Sequence, residues 1–389
     1  MKTSQPTTSA RRQFIKNAAI LAPAITLFPS WLTASTGSRL RLAFIGVGAW
    51  GQQYLQTALQ NKNVHITAIC EHDAGALQQT KQLFNKAGIA PPTLYNEGAT
   101  AYQTLLLRTD IDAVIIGTPW HSHYELAKAA LLAGKHVACG PIMGSTVEEH
   151  WDIVKTGKQT GKQYITLDEQ SYRHDLQAIT KMVTAGQLGE LQTLHAGAAY
   201  HTLNDTKAMS TLPYPVYPAA ATAQLLGISA GNPYISLQVQ QHQQDYVIMK
   251  QQAKTGTARL FVDKGLVNII RLTTGQQQTI YLQSHLQNDQ QISTGFRVQA
   301  TGGSWMDISK SVYVTGKALN SVALPTNHKQ SPVHETVTMA LHDFVKTLQQ
   351  PASNHLGVCT AATNSVIGTL ANQSAQQGGA TIEFPNFYI

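Results

Sequence analysis

Short apolar runs alternate with stretches of helical period over the first half of the chain. Leu40 to Ile45 reads as a strand, Gly51 to Gln60 as a helix and Val64 to Cys70 as a second strand. The alternation continues with the strand Ala113 to Ile116, a helix from about His123 to Ala133 and the strand Lys135 to Cys139. Apolar strands separated by helices predict parallel βαβ units, and so an α/β fold whose N-terminal domain is a doubly wound parallel sheet of the Rossmann type. From Leu191 the texture changes. Leu191 to Ala199, Ile235 to Gln241, Leu266 to Leu272, Thr279 to Leu282, Phe296 to Ala300 and Ser311 to Val314 are β-rich runs that outnumber the helices between them. They predict a C-terminal α+β domain on a large, mostly antiparallel sheet. The Gln-rich patch Gln238 to Gln244 fits a polar strand end or turn better than an interaction tract. Helical stretches from about Val333 to Gln350 and Thr360 to Gln376 close the chain, and they are candidates for packing back on the first domain.

The first 36 residues do not belong to this pattern. They hold no acidic residue and run through Arg11-Arg12-Gln13-Phe14-Ile15-Lys16 into the uncharged stretch Ala18 to Trp31. That order of features is expected of a twin-arginine export signal, and hence of a periplasmic protein. The apolar run has fourteen residues, where ~20 are needed to cross the hydrocarbon core, so no stable membrane span is expected in the mature form. Three units follow: the signal segment 1–36, a cofactor domain 37–160 and a substrate and oligomerisation domain 161–389.

Composition changes the picture in two places. The signal segment carries Lys2, Arg11, Arg12 and Lys16, and removing these four charges takes the formal charge from +7 to about +3. With no cationic run interleaved with aromatics elsewhere, nucleic acid is not an expected partner. Cys70, Cys139 and Cys359 are an odd, sparse set, two of them at the ends of apolar strands; buried free thiols are expected, not a disulfide framework.

The candidate chemistry sits where the strands end. Gly46-Val47-Gly48-Ala49-Trp50-Gly51 follows the first strand and opens the first helix. Gly46 permits the tight turn, Gly48 lets the backbone approach a pyrophosphate, and Gly51 lets the helix pack close to the sheet with its N-terminus on the phosphates. Glu71, twenty residues past Gly51, stands at the end of the second strand. A carboxylate there accepts hydrogen bonds from adenosine ribose hydroxyls and repels a 2′-phosphate, which favours NAD over NADP. Gly117-Thr118-Pro119-Trp120-His121-Ser122-His123 ends a later strand on the same ligand-binding edge. Its His-x-His pair lacks neighbouring acidic or cysteine ligands, so the reading is no metal. Packing and orientation near the nicotinamide is expected instead, with Thr118, Pro119, Trp120 and His121 set to the cofactor and His123 to the substrate.

Together, the Gly46 loop, Glu71, Thr118-Pro119 with His123, and Gly134-Lys135-His136-Val137 resemble the Gfo/Idh/MocA oxidoreductase family over essentially the whole mature chain. Several stretches are similar, more narrowly, to glycoside hydrolase family 109, the NAD-dependent α-N-acetylgalactosaminidases. They are Thr118-Pro119-Trp120-His121, Glu148-Glu149-His150-Trp151, Tyr172, Tyr214-Pro215, Ala223-Gln224-Leu225-Leu226 and Phe384-Pro385-Asn386-Phe387. The resemblance implies a carbohydrate glycoside as substrate and hydrolysis without net redox change: transient oxidation at C3, loss of the C2 proton, elimination at C1, water addition and return of the hydride. It makes Tyr172 the base, a role that requires a phenol pKa lowered towards working pH, and sets Tyr214 on the substrate. It also implies that the second sheet is available for a homo-oligomer.

The chain departs from this pattern at several points. Where the wider family reads Glu-Lys-Pro, with Lys transferring the proton, this chain has Gly140-Pro141-Ile142; the glycosidases lack the Lys but keep the Glu. Their Tyr-Pro-Thr-His-Gly is here Tyr214-Pro215-Val216-Tyr217-Pro218, so Tyr217 replaces a histidine expected to touch the sugar. A phenol can donate to a sugar hydroxyl but does not accept a proton near neutral pH as imidazole does. Three readings follow: a glycosidase of altered sugar specificity using Tyr172 and Tyr217; an NAD-dependent sugar or cyclitol oxidoreductase; and an NAD-containing binding protein that has lost catalysis.

Overall fold

A computed structural model describes residues 39–199, 218–251, 258–285, 295–307, 311–316, 320–321, 332–349 and 357–389. The expected signal segment, Tyr214 and Tyr217 lie outside the described residues.

The first sheet has six parallel strands in the order β3-β2-β1-β4-β5-β6. They are β1 (Leu40–Ile45), β2 (Val64–Cys70), β3 (Thr93–Tyr95), β4 (Ala113–Ile116), β5 (His136–Cys139) and β6 (Tyr164–Thr166). The helices are α1 (Ala49–Gln60), α2 (Ala74–Ala87), α3 (Ala101–Leu106), α4 (His123–Leu132) and α5 (Val147–Thr160). In β1 only Arg41 is exposed, because a central parallel strand is covered on both faces. Leu42 and Phe44 join one apolar layer with Tyr54 and Leu55 of α1, and Ala43 and Ile45 join the other with Leu126 and Leu131 of α4. Asp73 caps α2 by accepting from the Ala76 N–H at 2.7 Å, and Gly88 ends that helix at φ 67°. The sheet takes its sixth strand from residues 164–166, past the expected boundary at residue 160. At three residues that strand is too short to show a period.

The second sheet has nine strands in the order β14-β13-β12-β11-β7-β10-β9-β8-β15. These are β7 (Leu191–Ala199), β8 (Tyr234–Gln251), β9 (Ala258–Thr274), β10 (Thr279–His285), β11 (Phe296–Ala300), β12 (Gly303–Met306), β13 (Ser311–Val314), β14 (Asn320–Ser321) and β15 (Ile382–Glu383). Its pairings are antiparallel except β7 with β10. Gln238 to Gln244, expected as a strand end or turn, runs inside β8 and pairs continuously with residues 271 to 265 of β9. Ladder hydrogen bonds are indifferent to side-chain polarity, so a polar tract extends a strand wherever a partner strand is already in register.

Two short 3₁₀ turns, Trp120–Ser122 and Gln170–Tyr172, and the helices α6 (His174–Thr184), α7 (Ala219–Leu226), α8 (Pro332–Gln349) and α9 (Val358–Gln376) complete the chain. Both C-terminal helices pack back on the first domain. Val337, Leu341 and Phe344 of α8 enter the layer beneath α1, and Val366, Ile367 and Leu370 of α9 enter the layer that also holds Ile153 of α5. Phe387 of the closing motif is buried, its ring centroid 4.5 Å from that of Trp151. The motif is thus core. Residues 39–389 form one compact unit, in which a single apolar cluster runs from Ile116 of the first sheet to Leu272 and Trp305 of the second.

Candidate cofactor and active site

At the carboxyl edge of the first sheet three glycines meet backbone to backbone. Gly46 ends β1 at φ 85°, a left-handed conformation that side chains disfavour. A Cβ on Gly51 would stand 2.6 Å from the Gly46 carbonyl oxygen, and one on Gly117 would stand 2.7 Å from the same atom. Gly48 differs: a Cβ there would meet nothing within 4 Å, and no side chain caps the N-terminus of α1. The first N–H groups of that helix therefore face open space from a loop with no side-chain bulk, the arrangement that receives a pyrophosphate.

Glu71 is fixed beside this cradle. It is 8% exposed; Oε2 accepts from the Val47 N–H at 2.8 Å, and Oε1 accepts from the His72 and Asp73 N–H groups at 2.7 and 2.9 Å. Three backbone donors hold the carboxylate, and Oε2, with one of them, keeps acceptor capacity for a ribose hydroxyl. Trp120 supplies a further feature suited to a ligand, since its indole N–H is buried and has no hydrogen-bond partner. His121 is exposed next to it, its ring 6.2 Å from that of Trp120. Thr118 and Ser122 share a hydroxyl–hydroxyl bond of 2.7 Å, and the Ser122 hydroxyl lies 2.8 Å from the Pro119 carbonyl; these bonds shape the turn. Of the residues expected at the dinucleotide, Gly46, Gly48, Gly51, Glu71, Thr118, Pro119, Trp120 and His121 lie along one edge and fit the group, whereas Trp50, also expected at the cofactor, does not.

Trp50 points elsewhere. Its indole N–H donates to Glu169 at 3.1 Å, as does the Tyr54 hydroxyl at 2.7 Å. Glu169 and its neighbour Asp168 follow β6 and were not singled out from the sequence, because a three-residue strand does not reveal which residues stand at its end. Burial pushes the Asp168 carboxyl up to about 7 and raises Glu169 in the same direction. Asp168 accepts from the Ser171 N–H and hydroxyl on one oxygen, while the other is buried without a partner.

Tyr172, the expected base, is engaged by a carboxylate. The Tyr172 hydroxyl donates to Asp343 of α8 at 2.8 Å. Burial raises the phenol pKa, and the Asp343 carboxylate raises it further. A base needs the opposite shift, so these surroundings argue against the role implied by resemblance. Beside it, Arg173 binds Asp175 with two nitrogens, at 3.1 and 2.6 Å, and reaches Asp307 past β12 at 2.9 Å. That arginine ties the start of α6 to the end of β12.

His123, expected at the substrate, is buried, and both of its ring nitrogens lie against backbone carbonyls. No ring nitrogen remains for a sugar, which corrects the substrate-binding expectation. Lys135 of the Gly134-Lys135-His136-Val137 motif is similarly structural: its ammonium donates to the carbonyls of Arg108 and Ile111 at 2.5 and 3.0 Å. Among the described residues no group of three or more His, Cys, Asp or Glu could hold a metal ion, and no helix is long and apolar enough to cross a membrane.

This doubly wound domain, with a dinucleotide cradle at its edge and an antiparallel sheet joined to it, defines a two-domain dinucleotide-dependent oxidoreductase fold. Residues 40–167 match the family model described as "Oxidoreductase family, NAD-binding Rossmann fold", and residues 165–331 match "Glycosyl hydrolase 109, C-terminal domain". Together the two models match residues 40–331, a dinucleotide domain of the Gfo/Idh/MocA type followed by a glycosyl hydrolase 109 C-terminal domain. It is 29% identical over 433 residues to a glycosyl hydrolase family 109 protein of Stenotrophomonas maltophilia, covering 97% of this chain and 95% of that one. An alpha-N-acetylgalactosaminidase of Tannerella forsythia is 26% identical over 404 residues, covering 90% of this chain and 86% of that protein. Among solved structures, an oxidoreductase from Agrobacterium radiobacter in complex with NAD+, L-tartaric acid and magnesium superposes with a TM-score of 0.68 at 14% identity, covering 89% of this chain and 99% of that one. At that identity the likeness is one of fold.

Proposed function

We propose that the protein is an NAD-dependent glycosidase acting on a sugar glycoside, N-acetylated sugars included, by transient C3 oxidation, elimination and water addition. The observation that carries this reading is the loop Gly140-Pro141-Ile142 at the end of β5, in a chain whose second domain matches glycosyl hydrolase 109. A net alcohol dehydrogenase of the wider family needs a titratable side chain on this loop, and Pro141 has none. Bound NAD would supply the acceptor and later donor of a hydride. The chain's own part is to seat the pyrophosphate on the N–H groups of α1, fix the ribose with Glu71 and offer the Trp120 N–H as a donor. The test is incubation with p-nitrophenyl N-acetyl-α-galactosaminide and related glycosides, read for both released phenol and cofactor absorbance. Phenol release with no net NADH supports the proposal; NADH accumulating in proportion to a free sugar or cyclitol replaces it with the oxidoreductase reading.

Tyr172→Phe tests the role of that phenol. The bond to Asp343 is expected to be worth about 1 kcal/mol of stability, and kcat is expected to stay within about tenfold of the parent. A loss of about 10²–10⁴ in kcat is what removal of a general base produces, and it would restore Tyr172 to that role.

We further propose that the protein is exported folded by the twin-arginine route and works in the periplasm. The support is the order of Arg11-Arg12, Phe14, Lys16 and the apolar run to Trp31. Folded export suits a resident cofactor, which is loaded before crossing and recycled in place. Changing Arg11 and Arg12 together to Lys is expected to leave the protein in the cytoplasmic fraction; unchanged periplasmic recovery would exclude the route.

A further inference from the structure

One buried ring fastens two loops at the carboxyl edge of the first sheet. His123 opens α4 and is 6% exposed. Its Nδ1 lies 2.6 Å from the carbonyl oxygen of Ile142, in the loop after β5, and its Nε2 lies 2.9 Å from the carbonyl oxygen of Thr118, in the loop after β4. A backbone carbonyl only accepts, so each nitrogen must carry a hydrogen to make its bond. Neutral imidazole carries one hydrogen; only the imidazolium carries two.

We propose that His123 is an imidazolium in the folded protein, a positioning residue whose fixed positive charge lies under the loop Gly140-Pro141-Ile142, where this chain has no lysine. The packing supports this placement. A Cβ on Gly140 would stand 3.4 Å from His123 Cε1, so the ring rests against bare backbone. The side chains around it offer no carboxylate to neutralise it. Cys139 of β5 faces the ring, with Tyr164 of β6 beside Cys139. On α5, Asp152 is taken by Lys128 and Tyr124, and Glu149 accepts from the Ser145 N–H. On α4 itself, Glu125 accepts from Tyr102 of α3. Burial favours the neutral ring, whereas the hydrogen bonds to the Ile142 and Thr118 carbonyls favour the charged one and raise the pKa.

The location gives the charge a consequence. Glu71 and the α1 N-terminus place the adenosine and pyrophosphate over β1 and β2, which leaves β4 and β5 for the nicotinamide half of the cofactor. A fixed cation beneath those loops disfavours the positively charged oxidised ring relative to the neutral reduced one. The protein is therefore expected to hold NADH more tightly relative to NAD+ than it would without His123, and so to promote the first hydride transfer.

Two measurements test this on the full mature chain. Nitrogen-15 NMR of the histidine-labelled protein, without cofactor at pH 7, is expected to show a ring with two exchange-protected N–H hydrogens, a signature a neutral histidine cannot give and one that needs no variant. Buried rings that all carry a single hydrogen at pH 7 would overturn the proposal. In His123→Gln the ratio of NADH to NAD+ affinity, measured by direct titration, is expected to fall roughly tenfold, the equivalent of about one pKa unit of differential interaction; an unchanged ratio would overturn the electrostatic role. The second measurement rests on NAD as cofactor and the first does not, so failure of the cofactor reading, seen as no binding of either form, is distinct from failure of the imidazolium.

Discussion

Alanine at Gly48 is expected to abolish NAD binding while leaving the melting temperature where it is, whereas alanine at Gly51 or Gly117 is expected to lower both. The difference follows from what each methyl would meet. At Gly48 a Cβ has open space for 4 Å around it, and its φ of −63° is open to any residue. The only thing a methyl can obstruct there is a ligand approaching the N-terminus of α1. At Gly51 and Gly117 the added carbon would stand 2.6 and 2.7 Å from the Gly46 carbonyl oxygen. That oxygen belongs to the backbone of a turn already held at φ 85°, so it cannot yield as a side-chain tip would. Forcing the two segments apart is expected to cost about 1–3 kcal/mol, as overpacking does elsewhere, and to turn the cradle away from the phosphates. A loss of about 100-fold in affinity or more, equivalent to about 2.7 kcal/mol, is expected in all three variants by calorimetric titration. If Gly48→Ala binds NAD as the parent does, the pyrophosphate does not lie on this helix and the cofactor site is misplaced.

The contrast between these glycines also marks how much the sequence reveals. The Gly46, Gly48 and Gly51 spacing is local, so it is readable together with the strand before it and the helix after it. Gly117 is part of the same contact, but it comes from β4, 71 residues past Gly46; only the strand order β1-β4 brings it there. The same reason explains Tyr172. Its motif is local and invites a catalytic role, but its pKa is raised by burial and by Asp343, 171 residues away on a helix that packs back from the C-terminus. His123 is a third case, since its two partners belong to two different loops. Strands β3 and β6 were too short to carry a period, and with β6 the buried Asp168 and Glu169 stayed hidden. What the sequence shows well is fold class and cofactor cradle, because these rest on periodicity and spacing; charge states rest on tertiary neighbours.

Those charge states make stability depend on pH, and His150 is where the effect is cleanest to isolate. The ring is fully buried. Nδ1 lies 2.6 Å from the Thr146 carbonyl, and so must be the N–H, while Nε2 lies 2.8 Å from the Ser365 hydroxyl. Ser365 accepts from the Met143 N–H at 2.7 Å and so turns its own hydrogen to Nε2. The network is complete with neutral imidazole and has no place for a second hydrogen. This is the reverse of His123, and burial accordingly brings the His150 pKa down to about 4. In the unfolded chain the ring takes its proton near pH 6.5. A group whose folded pKa is depressed contributes stability above its unfolded pKa and loses it as pH falls towards its folded pKa. The window is therefore from about 6.5 to about 4, and the full loss is roughly 3 kcal/mol. His136, also near 4 through burial and Lys162, acts in the same direction. Asp168 acts in the opposite one: its carboxyl, raised to about 7 by burial, favours the folded state as pH falls from 7 towards 4. The parent curve is thus a sum of opposing slopes, and the variant His150→Gln separates them. Its packing cost is the same at every pH, so the stability gap between parent and variant, measured by urea unfolding at pH 7.5, 6 and 5, is expected to narrow steadily by roughly 2 kcal/mol over that range. A gap that stays constant would mean that His150 is protonated in the folded core, which the Ser365 and Met143 arrangement does not allow.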